Sequence, residues 1–261
     1  MIRKLRYSYH MQLTFEQPVN RHHFKLRCFP SDDEKQKISE EHIEIYPVHF
    51  SSKVTDSFGN MCIYGTAEQN HERFAVDVSG LAGIDASAEI RAEPHKAGIF
   101  LYDTELTRAG KSIREFHRSF EPMNWMNGYE RALYMMNRLY YEFWYCAGVT
   151  GILTSAEEAF SLRRGVCQDY AHILLALCRL ERIPCRYAVG MIPGEGATHA
   201  WTEIYDSEVW RPVDPTHNRE CTDTYIKISS GRDAQDCAIN QGVFYGGGKQ
   251  TQEVKAVVEI L

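Results

Sequence analysis

The sequence predicts an α+β protein, an antiparallel β-sandwich over residues 1–105 followed over residues 106–261 by a buried helix packed on a second antiparallel sheet. Three observations carry this reading. Leu5, Tyr7, Tyr9, Met11, Leu13 and Phe15 alternate strictly with polar residues, as in a strand with one face on a core. From about Thr104 the apolar period lengthens to three and four residues. After Pro184 short strand-like runs resume and continue to the end of the chain.

In the first part, Phe24/Leu26/Cys28, Ile43/Ile45 and Phe74/Val76/Val78 extend the two-residue period. Pro30-Ser31-Asp32-Asp33 and Asp56-Ser57-Phe58-Gly59-Asn60 separate these strands as turns. In the second part, Ala132, Leu133, Met136, Leu139, Tyr140 and Phe143 mark one face of a helix. Ser155 with Glu158 forms a capping box that opens a short helix, which Gly165 is expected to end. A further helix starts near Cys167 and runs to about Leu180, apolar nearly all round from Ala171 to Cys178, as a central helix would be. Strands are then expected at 185–190, 198–205, 209–213, 225–228 and 253–260.

Composition narrows the function. A net charge of −6 without a dense Lys/Arg block argues against nucleic acid or an anionic membrane as partner. The N-terminus passes directly into alternation rather than an apolar signal region, and the run from Ile173 to Cys178 is too short to span a bilayer. Eight scattered cysteines without a C-x-x-C pair read as free thiols, so the cytoplasm is the expected compartment. Nothing in the sequence sets an oligomeric state.

The residues that suggest chemistry are Cys167, His199 and Asp214. A thiol attacks as its thiolate, and at a helix N-terminus free N–H groups and the helix dipole favour that anion. The same N–H groups can stabilise an oxyanion. Downstream, 198–205 and 208–214 read as the two strands of a hairpin. If Asp206-Ser207 is the loop, Tyr205 pairs with Glu208 and His199 with Asp214, so imidazole and carboxylate share a face. Glu203 shares that face too, but four residues along the strand, about 13 Å away, it is out of reach. This assigns Cys167 as nucleophile, His199 as base and Asp214 as the group that orients the imidazole.

Four blocks in order carry a family resemblance: Gly165-Val166-Cys167-Gln168-Asp169-Tyr170-Ala171-His172, Arg182-Ile183-Pro184-Cys185-Arg186-Tyr187, His199-Ala200-Trp201 and Val213-Asp214-Pro215-Thr216. Over about residues 150–218 the chain resembles the transglutaminase-like superfamily, within the wider group of papain-like thiol enzymes. More loosely, the 56–60 turn, Gly231-Arg232-Asp233 and Tyr245-Gly246-Gly247-Gly248 are similar to bacterial members with an N-terminal β domain. The resemblance implies a Cys-His-Asp triad, here Cys167, His199 and Asp214, and amide chemistry with no cofactor and no metal. It also implies an upstream aromatic that assists the oxyanion; Trp144 or Tyr145 are the residues to consider, both otherwise expected in the core.

The expected function is cysteine-dependent acyl transfer on a peptide, protein or small amide, through a thioester resolved by water as in a peptidase or amidase. Resolution by an amine, as in a protein-glutamine transamidase, uses the same residues and stays open. So does a binding module that kept the fold without the activity. Cys167, His172 and Cys178 do not make a zinc site, because one helix spreads them over three turns. His172 and His217 are expected to be structural, Arg232-Asp233 a loop ion pair and 246–248 a turn.

Overall fold

The protein is described by a computed structural model of residues 2–261. Its first sheet is organised by one long strand, β1 (Ile2–Leu26), whose apolar alternation buries Leu5 through Phe15 and then Val19, Phe24 and Leu26. Strands β2 (Gln36–Tyr46), β3 (Phe50–Thr55), β4 (Met61–Ala67) and β5 (His71–Asp85) follow. β5 pairs with the first half of β1 and β4 with its second half, while β2 lines β5 and β3 lines β4. The β1–β5 register shifts between Thr14 and Val19, and Arg21 takes a left-handed φ of 48°, so β1 bends there. The expected sandwich is thus a single curled sheet whose two halves share one core.

The second half begins with β6 (Ile90–Arg91), α1 (Pro94–Ala97), α2 (Lys111–Arg118), α3 (Gly128–Glu142), β7 (Trp144–Tyr145), α4 (Ala156–Leu162) and β8 (Arg164–Gly165). It continues through α5 (Cys167–Leu180), β9 (Cys185–Met191), β10 (Gly194–Gly196), β11 (His199–Asp206), β12 (Val209–Asp214), β13 (Arg219–Glu220) and β14 (Ile226–Gly231), then β15 (Asn240–Gly246) and β16 (Gln250–Ile260). The second sheet has the order β13-β12-β11-β9-β14, antiparallel throughout. Helix α5 lies on it, with eleven of its 14 residues buried, which is why its sequence carries almost no polar face. The α+β class read from periodicity is the observed one.

Three local expectations change. α4 ends at Leu162 through Arg163 in the left-handed region (φ 56°), not at Gly165. Gly165 is needed for another reason: a Cβ there would lie 2.3 Å from Asp169 Oδ2. Strands β15 and β16 do not join the second sheet; both pair with β1, and β10 pairs with β16. β16 thereby covers the β1 edge that β5 leaves open. The sequence division at 105/106 therefore does not separate the two sheets, since residues 240–260 complete the first one.

Side chains of the 56–60 turn join the sheets. Asn60 exchanges two hydrogen bonds of 2.8 Å with the Ser230 backbone, and Asp56 holds Arg27, which also donates to Ala238 O. Asn60→Ala leaves the Ser230 amide without its acceptor in a buried place and should lower stability by about 1–3 kcal/mol. Urea unfolding checks this, and an unchanged midpoint would contradict it. Among the described residues no helix is long and apolar enough to cross a membrane.

Candidate active site

The β11–β12 hairpin turns at Ser207-Glu208, both at positive φ (51° and 67°), the conformation of a type I′ two-residue loop. Tyr205 consequently pairs with Trp210, not with Glu208, a register two residues from the expected one. Continued by one step, the pairing sets Asp214 opposite Trp201 rather than His199. A shift of two keeps every side chain on its face, whereas a shift of one would have reversed Asp214. His199 and Asp214 are thus diagonal neighbours on one face, within reach of an imidazole. His199 Nε2 lies 2.7 Å from Asp214 Oδ2.

Asp214 is fully buried and saturated with donors. Its Oδ2 also accepts from the Tyr225 hydroxyl and pairs with His217 Nδ1, both at 2.7 Å, and its Oδ1 accepts from the backbone N–H groups of Thr216 (2.9 Å) and His217 (3.3 Å). Burial works against the charged carboxyl, yet these bonds, His199 first among them, hold it below the usual carboxylate range. Arg219 donates to the Tyr225 oxygen through Nε and Nη2, fixing the hydroxyl proton toward Asp214.

His199 is buried, which disfavours its charge; the Asp214 hydrogen bond and the Cys167 side chain outweigh this and raise its pKa to about 9. With Nε2 committed to Asp214, Nδ1 is the nitrogen left for the thiol. Cys167 is half-buried at the first position of α5. The N–H groups of Asp169 and Tyr170 both reach Val166 O, while those of Cys167 and Gln168 have no intrahelical acceptor. The Asp169 carboxylate folds back to accept from Val166 N and Thr150 Oγ1, each at 2.7 Å, and burial raises its pKa. Val166 has no side-chain acceptor, so Asp169 alone caps the helix start. Gly165→Ala forces Asp169 aside and should slow any thiol reaction at Cys167; an unchanged alkylation rate would contradict this coupling.

The structure therefore brings Cys167, His199 and Asp214 together, and corrects several other readings. His217, expected to be structural, pairs with Asp214 itself, three residues earlier in a side-chain-capped turn. Tyr225 and Arg219, eleven and five residues beyond Asp214, carried no sequence signal. Trp144 and Tyr145 are exposed, at 72% and 61%, rather than core residues. Arg232 pairs with Asp236 (2.8 Å), while Asp233 caps the N–H groups of Gln235 and Asp236. His172 is structural as expected: fully buried, it accepts from Ala234 N at 3.1 Å, and burial lowers its pKa to about 4. Glu203 binds Arg186 and Lys227 instead of a histidine.

His199, Asp214 and His217 offer donor atoms within 4.8 Å of one another. Both imidazoles, however, lie 2.7 Å from the same oxygen, closer than the edge of about 3.3 Å of a tetrahedron built on zinc–ligand bonds near 2.0 Å. The arrangement is that of a hydrogen-bonded carboxylate.

Residues 122–215 match the family model of the transglutaminase-like superfamily core, a range that contains all three residues, and residues 5–82 match the bacterial transglutaminase-like N-terminal region. Uncharacterized protein ML0607 of Mycobacterium leprae is 37% identical over 126 residues, 44% of this chain and 44% of that protein. Uncharacterized protein Rv2569c of Mycobacterium tuberculosis is 31% identical over 127 residues, 42% of this chain and 40% of that protein. The shared region thus spans less than half the length of these relatives. The crystal structure of a candidate cysteine protease from Cytophaga hutchinsonii covers 100% of this chain and 91% of its own, with a TM-score of 0.79 and 22% identity, a likeness of fold. With two matching regions in chain order and a cysteine heading the buried helix of the core, the chain belongs to the transglutaminase-like superfamily, in general a family of cysteine-dependent enzymes.

Proposed function

We propose that this protein is a cysteine peptidase or amidase, with Cys167 as nucleophile, His199 as acid and base, and Asp214 orienting the imidazole. The observation that carries the reading is His199, 2.7 Å from Asp214, with the Cys167 side chain among the groups that raise its pKa. The Cys167 sulfur bonds to the amide carbonyl carbon, and the N–H groups of Cys167 and Gln168 face the developing oxyanion. As the C–N bond breaks, the imidazolium gives its proton to the departing amine. Water then attacks the thioester, losing a proton to His199, and the C–S bond breaks to release the acid and restore the thiol. Free thiols at all eight cysteines support a reducing compartment such as the cytoplasm.

Protonated His199 supplies the proton that the leaving amine takes. Its pKa of about 9 lies above that of a free imidazole, so kcat/KM should hold below this value and fall as the pH rises through it. The stability this shift contributes is likewise present below the free-imidazole range and lost as the pH rises through about 9. A pH–rate profile whose alkaline limb lies near 6.5, the ordinary imidazole value, would contradict the assignment.

The deciding experiment incubates the protein with a peptide-amide library, with and without an excess of a primary amine, and analyses products by mass spectrometry. The proposal expects free acids in both, absent in Cys167→Ala. Amine conjugates as the main product would replace hydrolysis by transamidation, and no product in either arm would count against catalysis.

A further inference from the structure

Among the described residues, seven of the 20 exposed large hydrophobic side chains lie between residues 140 and 162, immediately before the candidate nucleophile. Isolated exposed apolar residues need no explanation, but a contiguous group marks a contact surface. Here the group is fastened to the start of α5. Trp144 N and Cys146 N donate to Arg163 O and Gly165 O (3.0 and 2.8 Å), and Gln168 Nε2 donates to Ile152 O (3.3 Å). Burial, and then the charge of Cys167, raise the Tyr145 phenol above its ordinary range.

Ile152, Leu153 and Leu162 form an open depression of about 870 Å³ with Glu157 and Glu158 at its border. The carboxylates have other work. Glu157 accepts from the N–H groups of Gly110, Ser112 and Ile113 at the head of α2, and Glu158 from Ser155 N and Oγ. Ile152 and Leu153 are 80% and 66% exposed. Covering them removes apolar area from water, which is what this surface offers an apolar side chain.

Resting on the function proposed above, we infer that the wall from Trp144 to Leu153 is the substrate-recognition surface of the Cys167 site and takes the apolar side chain of a peptide acyl donor next to the scissile amide. The hydrogen bonds that fasten this segment to Gly165 and Gln168, on either side of Cys167, favour a substrate over an unrelated partner. Leucine or phenylalanine at that position is then selected over aspartate or lysine.

Capped dipeptidyl vinyl sulfones that differ only in the residue beside the electrophile (Leu, Phe, Asp or Lys) test this through their rates of adduct formation at Cys167. The wild-type protein should react about tenfold faster with the apolar probes. Leu153→Lys should reverse the order between Asp and Leu, and Ile152→Ser with Leu153→Ser should erase it. Both changes lie at exposed positions, and thermal unfolding confirms that the fold is kept. Equal wild-type rates, or a preference that survives both variants, overturn the inference while rapid labelling by iodoacetamide leaves the functional reading standing. A wild-type dimer that Leu153→Lys turns into a monomer, with no probe preference, assigns the wall to a second copy of the chain and overturns it too. Cys167 inert even to iodoacetamide overturns the functional reading and this inference together.

Discussion

Cys167→Ala abolishes amide turnover, and adding His199→Ala makes it little worse. Each single change is expected to cost on the order of 10⁴–10⁶ in kcat, because thiol and imidazole act as a unit and either loss removes the same step. His199 is held by Asp214 at 2.7 Å, and the Cys167 side chain is among the groups that raise its pKa. Without the sulfur there is no thioester, and without the ring there is no proton for the amine. Cys167 is half-buried at the head of α5 and His199 is the first residue of β11, so alanine leaves the α5 core and the hairpin pairing in place. Steady-state kinetics on the three variants check the expectation; losses that add across the double variant would show two independent roles.

The second large effect belongs to Asp214. Five hydrogen bonds converge on its two oxygens. Alanine leaves these donors, the buried His199 and Tyr225 among them, without their acceptor, and should destabilise the fold by about 3–5 kcal/mol. Asparagine has one oxygen where two are needed. With that oxygen toward His199, Tyr225 and His217, its amide N–H₂ meets the N–H groups of Thr216 and His217. The turn after β12 loosens and the imidazolium loses its countercharge. Turnover should fall by about 10²–10⁴, by analogy with serine enzymes. The alkaline limb of kcat/KM should move below about 9, because the Asp214 charge is among the groups raising His199. Asp214→Asn with wild-type kinetics and an unmoved limb would remove Asp214 from the proposed mechanism.

How far the sequence reached is clearest in the hairpin. Face parity was legible, since alternation set His199 and Asp214 on one side of the sheet. The turn was not: Asp206-Ser207-Glu208 lacks an Asn-Gly or Asp-Gly pair, and the chain turns one residue later than expected, at Ser207-Glu208. One residue of loop position moves the register by two, so the pair became diagonal instead of directly opposed and stayed within reach. Helix α5 was legible because its burial on all sides leaves a continuous apolar run, and the Ser155–Glu158 capping box because it is local chemistry.

Partners distant in sequence were harder to read. The period of β16 announces a strand, but nothing in it says that the partner is β1, some 240 residues earlier. The hold of Tyr225 on Asp214 depends on the path from β13 to β14, and that of His217 on a turn conformation. Neither leaves a periodic trace. The exposure of Trp144 and Tyr145 was missed for a different reason: an aromatic run reads as core unless something places a functional surface beside it.

Competitive alkylation of the native protein with substoichiometric iodoacetamide, resolved by peptide mass spectrometry across pH, bears most directly on the central proposal. Six of the eight cysteines are buried, and Cys146 and Cys167 are the two with partial access. If His199 activates Cys167, that residue is modified first, ahead of Cys146, and His199→Ala slows it to the rate of Cys146. Modification of Cys146 at an equal or greater rate, or a Cys167 rate indifferent to His199→Ala, would contradict the account.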